Sequence, residues 1–237
     1  MMFCTVGTKN QQTRESWLEE TLKKIPSGSR ILDAGAGEQK YKKFCSHLHY
    51  VSQDFAQYDG MGDGKALQTM AWNTSNLDIV SDITAIPELD SSFDAIMCIE
   101  VFEHLPKPIL AIKEFSRLLK PGGHLILSAP FCSLTHMAPY HYYSGYNRYF
   151  YETHLPDYGF EIIELVENGN FFEFLAQELR RLPDVENEYT DGFIRFRPLD
   201  WIAQRWLLRT LDKASKKDHG SKDLLNFGFH VHALKEG

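Results

Sequence analysis

Along the chain, short apolar runs alternate with stretches in which apolar residues recur every three or four positions, so strands are expected to alternate with helices. Trp17, Leu18, Leu22 and Ile25 share one face of a helix expected over 13–25, which Pro26, Ser27 and Gly28 end. Residues 1–12, which lack periodicity, read as a loose leader. Ile31 and Leu32 read as a buried strand that breaks into the glycines Gly35 and Gly37. A helix over 41–48 and a second strand over 49–52 follow, and 57–76, with Gly60, Gly62 and Gly64, reads as a loop. A third strand is expected over 77–80. The run FDAIMCI at 93–99 gives a fourth, apolar enough to need burial on both faces.

Pro106 and Pro108 open a further helix whose core face is Ala111, Ile112, Phe115, Leu118 and Leu119, and Pro121, Gly122 and Gly123 close it. Strand character returns at 124–128 and 159–166, a helix is expected over 171–181, and NFGFHVHAL at 226–234 alternates as a closing strand. Strands and helices in this rhythm imply a parallel sheet wound on both sides, with ligands outside the carboxyl ends of the strands. The 237 residues suit one domain over 1–237, with a core at 13–165 and a helical insertion at 167–225.

The formal net charge of -7 argues against a general nucleic-acid binder, which needs a cationic face. Cys4, Cys45, Cys98 and Cys132 are far apart without CxxC pairing and read as reduced thiols. No signal peptide and no membrane span are expected, so the location expected is cytoplasmic. No metal-ligand set is expected.

Glycines two apart after a strand let backbone N–H groups approach a ligand, because no Cβ intervenes and positive φ costs little. Asp54 lies nineteen residues beyond Gly35. That is the spacing at which an acid ending a second strand meets ribose hydroxyls in adenosine-binding βαβ units. Asp82 and Ile83 form a second acid and apolar pair just past the third strand, and Glu100, Glu103 and His104 follow the fourth.

The ordered set LDAGAG at 32–37, Asp54, DIVSDITAIPELDSSFDAI at 78–96, EVFEH at 100–104 and LLKPGGHLILSAP at 118–130 resembles the class I S-adenosylmethionine-dependent methyltransferases. The resemblance implies a Rossmann-like, doubly wound α/β fold: a seven-stranded, mostly parallel sheet with an antiparallel last strand. It also implies S-adenosyl-L-methionine as cofactor. Asp33, Gly35 and Gly37 would lie beside the methionine end, Asp54 on the ribose, Phe55 on adenine, Asp82 and Ile83 at the adenine amino group, and Glu100 where the fourth strand opens toward the methyl. Lys40 stands where a nicotinamide-binding turn would have its third glycine, which ranks a dehydrogenase last.

Within the family the chain resembles the bacterial branch associated with surface polysaccharide and glycolipid genes, through Tyr41, His104, His136, Pro139, Arg148 and Tyr149. Pro139 and Arg148 stand further apart here than in that pattern. Residues 130–154 are crowded with His, Tyr, Asn and Arg and read as an aromatic-packed loop or a substrate lid. A hydroxyl acceptor gains from a base near neutral pKa, which a histidine supplies. His136 or His104 is the expected base, with Tyr41, His141, Tyr142, Tyr146 and Arg148 on the acceptor side.

The function expected is methyl transfer, on oxygen, to a small-molecule, sugar or lipid-linked acceptor and not to nucleic acid. The alternative is a catalytically inactive, cofactor-binding partner subunit. Residues 193–222 carry eight Lys or Arg, including Arg195, Arg197, Arg205, Arg209 and Lys213, against three acids, beside Trp201, Ile202, Trp206 and Leu207. They read as a helix with a solvated basic edge, or as a peripheral membrane contact.

Overall fold

The computed structural model describes residues 4–191 and 198–237. The chain falls into two compact units, one of Ser16–Val166 with Gly228–Gly237 and the other of Met1–Glu15 with Glu167–Phe227.

The first unit holds the sheet. Its strands are β1 (Arg30–Ala34), β2 (His49–Asp54), β3 (Ile79–Val80), β4 (Phe93–Ile99), β5 (Leu119–Pro130), β6 (Phe160–Asn168) and β7 (Gly228–Lys235), in the order β3-β2-β1-β4-β5-β7-β6. β1 pairs in parallel with β2 and β4, β2 with β3, and β4 with β5, whereas β7 runs antiparallel to β5. This is the seven-stranded sheet with a reversed last strand that the resemblance implied.

β4 is central, so all but one of its residues are buried. One core cluster, which includes Leu32, Ile96, Phe115 and Tyr151, lies on one face. A second, with Leu18, Leu22, Ile31, Met97 and Ile126, lies on the other. α2 (Pro108–Leu118) begins with proline at its first turn, where no N–H bond is lost, and buries Ala111, Ile112, Phe115 and Leu118. α3 (Arg148–Asp157) starts at Asn147, whose side chain accepts from the Tyr149 N–H.

In the second unit α4 (Phe171–Tyr189) is capped by Asn170, which accepts from the Glu173 N–H. It packs with α5 (Pro198–Ser215) around Val6, Ala176 and Leu208.

Several local expectations change, among them Pro121–Gly123, which lie inside β5 rather than ending α2, and 148–154, which are helical in α3. α1 spans Asn10–Leu22, starting ahead of residue 13, and Val6 is buried with its carbonyl accepting from Arg180, so the leader is built into structure. Only Lys42–Phe44 forms a helical turn within 41–48, while Cys45 and Leu48 are buried in the second core cluster. The loop 57–76 is pinned: Asp59 accepts from the Met61 and Gly62 N–H groups, and the buried Tyr58 hydroxyl meets Gly60 O, Gln68 and Thr69. Arg195 and Arg197 lie outside the described residues.

Candidate active site

The candidate site lies at the carboxyl ends of β1, β2, β4 and β5, where parallel strands leave a crevice. After β1 the chain turns through Gly35 (φ 77°) and Gly37 (φ 50°), left-handed conformations in which a side chain is strained. A Cβ on Gly35 would come within 2.6 Å of Val101 Cγ2, and one on Gly37 would collide with the Trp72 indole. Both glycines are therefore required twice over, by φ and by space.

The turn is held from β2. Gln53 O accepts from the Gly35 and Ala36 N–H groups, both at 2.8 Å, and the Gln53 amide donates to Ser81 O at 2.7 Å. Asp54 accepts from Gly37 N at 3.0 Å and from Ala56 N at 2.9 Å. These bonds fix a nearly buried carboxylate at the turn's edge, with lone pairs remaining. Asp82 is exposed and binds the Thr84 N–H and hydroxyl, each at 2.8 Å, with Ile83 buried behind it.

Asp33 is buried and accepts from the Tyr50 hydroxyl at 2.6 Å. Burial raises its carboxyl to about 7, the Tyr50 bond pulls the other way, and Asp54 adds to the rise. Glu100 takes φ 56° just past β4 and accepts from Ser128 Oγ at 2.7 Å, a backbone strain of roughly 1 kcal/mol held at the strand mouth.

Three histidines meet beyond β4 and β5. Ring centroids are 4.7 Å apart for His104 and His136, 4.9 Å for His136 and His141, and 5.9 Å for His104 and His141. His104 Nδ1 lies 2.6 Å from Tyr140 O, His136 Nδ1 2.9 Å from Leu134 O, and His141 Nε2 3.1 Å from Ser133 Oγ. Burial, with His136 next, lowers His104 to about 4, and burial lowers His141 too. Leu67 bridges to His136, with the Met137 N–H donating to Leu67 O at 2.8 Å, so loop 57–76 and the histidine segment are tied to each other.

The remaining acceptor-side candidates disperse. Tyr41 packs against the Leu18–Ile31 cluster, Tyr142 is exposed, and Arg148 pairs with Glu152 at 2.9 Å. Tyr146 is buried and donates to Phe102 O at 2.8 Å. Gln53, Tyr50, Trp72 and Tyr140 acquire roles that the sequence motifs did not assign. An open groove of about 500 Å³ with a mainly apolar lining runs along Pro108, Ile109, Tyr143, Tyr146 and Phe150.

The family model described as a methyltransferase domain matches residues 8–181. The chain belongs to that family. The matched region, a methyltransferase domain, takes in most of the chain. The human probable tRNA methyltransferase 9B is 34% identical over 113 residues, 46% of this chain and 23% of that protein. The ubiquinone biosynthesis O-methyltransferase of Xanthomonas oryzae pv. oryzae is 33% identical over 105 residues, 43% of each chain. The chain thus spans less than half the length of these curated relatives. In fold it is similar to a putative sarcosine dimethylglycine methyltransferase from Galdieria sulphuraria, with TM-score 0.56 at 14% identity over 95% of this chain and 86% of that one. It also resembles Haemonchus contortus phosphoethanolamine N-methyltransferase 2 solved with S-adenosyl-L-methionine, with TM-score 0.52 at 15% identity over 94% of this chain and 52% of that one.

Proposed function

We propose that the protein transfers the methyl group of S-adenosylmethionine to a hydroxyl of a small-molecule, sugar or lipid-linked acceptor. The observation that carries this reading is the histidine cluster, His104, His136 and His141, joined to the cofactor side through Tyr140, whose carbonyl meets His104 and whose ring meets Phe55.

The glycine turn supports a cofactor seat, since its left-handed backbone ends β1 at the crevice beside the Asp54 carboxylate. In this reading Asp33 balances the methionine ammonium and Asp54 takes the ribose hydroxyls. Phe55 and Ile83 flank adenine, Asp82 meets its amino group, and Glu100 lines the approach to the methyl. The cofactor supplies an electrophilic methyl on a sulfonium, so catalysis rests on holding the acceptor oxygen in line behind it.

Of the two candidate bases His136 is favoured. Its Nδ1 sits on Leu134 O, which leaves Nε2 to take the acceptor proton, whereas His104, lowered to about 4, is too weak a base to remove it efficiently near neutrality. His104 and His141 then orient the acceptor oxygen. Of the remaining acceptor-side residues, Tyr146 contributes by holding the loop against Phe102 O rather than by direct contact.

A lipid-linked or apolar acceptor is supported by two features, each within its own unit. One is the apolar groove along Pro108, Ile109 and Phe150. The other is α5, which exposes Trp201, Ile202, Trp206 and Leu207, with the Arg205 guanidinium over the Trp201 ring at 5.0 Å. Exposed tryptophans with flanking cations suit the plane of a membrane interface, and no helix among the described residues is long and apolar enough to cross one.

A second reading, an RNA acceptor, is favoured by the likeness to a relative named as a tRNA methyltransferase and opposed by the net charge of -7. Incubation with methyl-labelled cofactor and separate sugar, lipid and RNA extracts, followed by mass spectrometry, distinguishes them. Label on a sugar or lipid oxygen is expected, and label confined to RNA would overturn the proposal.

A further inference from the structure

We propose that Glu103, His104 and His136 form a binding site for a divalent transition-metal cation, with His141 beside it. One ligand atom from each of the first three lies within 4.8 Å of the others. Glu103 is buried, and its Oε1 is 3.9 Å from His104 Nε2.

Hydrogen-bond bookkeeping gives the lone pairs their directions. A neutral His104 donates from Nδ1 to Tyr140 O, and His136 donates from Nδ1 to Leu134 O, since a carbonyl can only accept. Each keeps a lone pair on Nε2. The Ser133 hydroxyl donates to Ser144 O at 3.0 Å, so it accepts from His141 Nε2–H and leaves the lone pair on Nδ1. Ring nitrogens anchored on carbonyls or hydroxyls, with the opposite nitrogen turned to a common space, are the arrangement metal-ligating histidines adopt.

Two imidazoles and a carboxylate select zinc or a similar borderline ion over magnesium or calcium, which prefer all-oxygen sets. Ligand atoms around a tetrahedral zinc stand roughly 3.3 Å apart. The present spread is wider, so ion binding draws the ligands together. Such an ion sits among the groups assigned above to the acceptor and replaces His136 as the means of lowering the acceptor hydroxyl's pKa. In that respect the proposal rests on the acceptor reading, but the binding of the ion does not.

The test strips the full-length protein with a chelator, titrates it with zinc by calorimetry, and measures bound metal by mass spectrometry and the visible spectrum of the cobalt form. One ion per chain is expected, bound at least about tenfold more weakly by His104→Ala, His136→Ala and Glu103→Gln. Circular dichroism and S-adenosylmethionine affinity, measured on the same samples, identify any variant that has lost its fold. His136→Ala, on the loop surface, is the variant least exposed to that failure. Wild-type protein that takes up no zinc, or folded variants that bind it as tightly as wild type, would overturn the site. Methyl transfer that survives metal removal would leave the base reading standing and remove the ion from the reaction. Stoichiometric zinc without methyl transfer to any acceptor would do the reverse.

Discussion

The ring of Phe55 meets the ring of Tyr140 edge-on, 5.0 Å between centroids. Phe55 follows Asp54 at the end of β2, and Tyr140 belongs to the histidine-rich segment after β5, with its carbonyl on His104 Nδ1. A single contact therefore links the residues assigned to the cofactor with those assigned to the acceptor. Phe55→Ala removes an aromatic pair worth about 1 kcal/mol beyond its burial and loosens Tyr140. Cofactor affinity should fall by roughly fivefold by calorimetry, and the line width of the His104 ring resonances should increase.

Gly37→Ala places a Cβ against the Trp72 indole at a φ that disfavours any side chain. Cofactor affinity should drop at least about tenfold, a cost of ~1.4 kcal/mol or more. Gly28→Ala is the control, because Gly28 shares the positive φ but has nothing within 4 Å of its added Cβ. It should cost about 1 kcal/mol of stability in a denaturant melt and leave affinity unchanged.

Asp33 titrates near 7 when the cofactor is absent. A bound ammonium favours the ionised carboxylate, so affinity should rise with pH up to about 7, by at most about tenfold per unit, and level off above it. Asp33→Asn should bind more weakly with a flat profile between pH 5 and about 8. A sloping profile in that variant would point to another group. The stability of the apo protein runs the other way. A carboxyl raised above its unfolded value of about 3.9 contributes stability below that pH and loses it as pH rises through about 7.

His124 Nδ1 lies 2.9 Å from His232 Nε2 across the antiparallel β5–β7 pairing, with the rings stacked. Burial lowers both, and it lowers His232 to about 4, with His124 and Lys24 acting in the same direction. Here the folded state binds fewer protons than the unfolded one between about pH 4 and 6.5, so this pair loses stability as pH falls through that window. His232→Gln should flatten the acid side of a plot of melting temperature against pH, with Asp33→Asn as background to remove the opposing trend.

Much of the fold was legible because period carries it. FDAIMCI could only be a central strand, and β4 occupies the residues expected of it. Alternation at 226–234 marked a closing strand, and the family resemblance supplied its reversed sense; its place beside β5 emerges only in the structure. The short helix read over 41–48 shrank to the Lys42–Phe44 turn, although Tyr41, Phe44, Cys45 and Leu48 still pack on the core cluster of Leu18 and Ile31, so apolar spacing there marked a packed connection rather than a helix. In the site, Gly35, Gly37 and Asp54 announced themselves by spacing. Gln53 did not, since it acts chiefly through its backbone carbonyl, which any residue offers. Nor did Trp72, whose position on Gly37 depends on how a twenty-residue loop folds back. The gathering of His104, His136 and His141 is a tertiary fact that joins an EH pair after β4 to a segment beyond β5.

The most direct test pairs cofactor calorimetry with methyl transfer from labelled S-adenosylmethionine, comparing wild type with His136→Ala. Wild type should bind the cofactor and label a sugar or lipid hydroxyl. His136→Ala should bind it within about twofold and transfer at least about a hundredfold more slowly. Wild type that does not bind S-adenosylmethionine, or a His136→Ala enzyme that transfers as fast as wild type, would contradict the account.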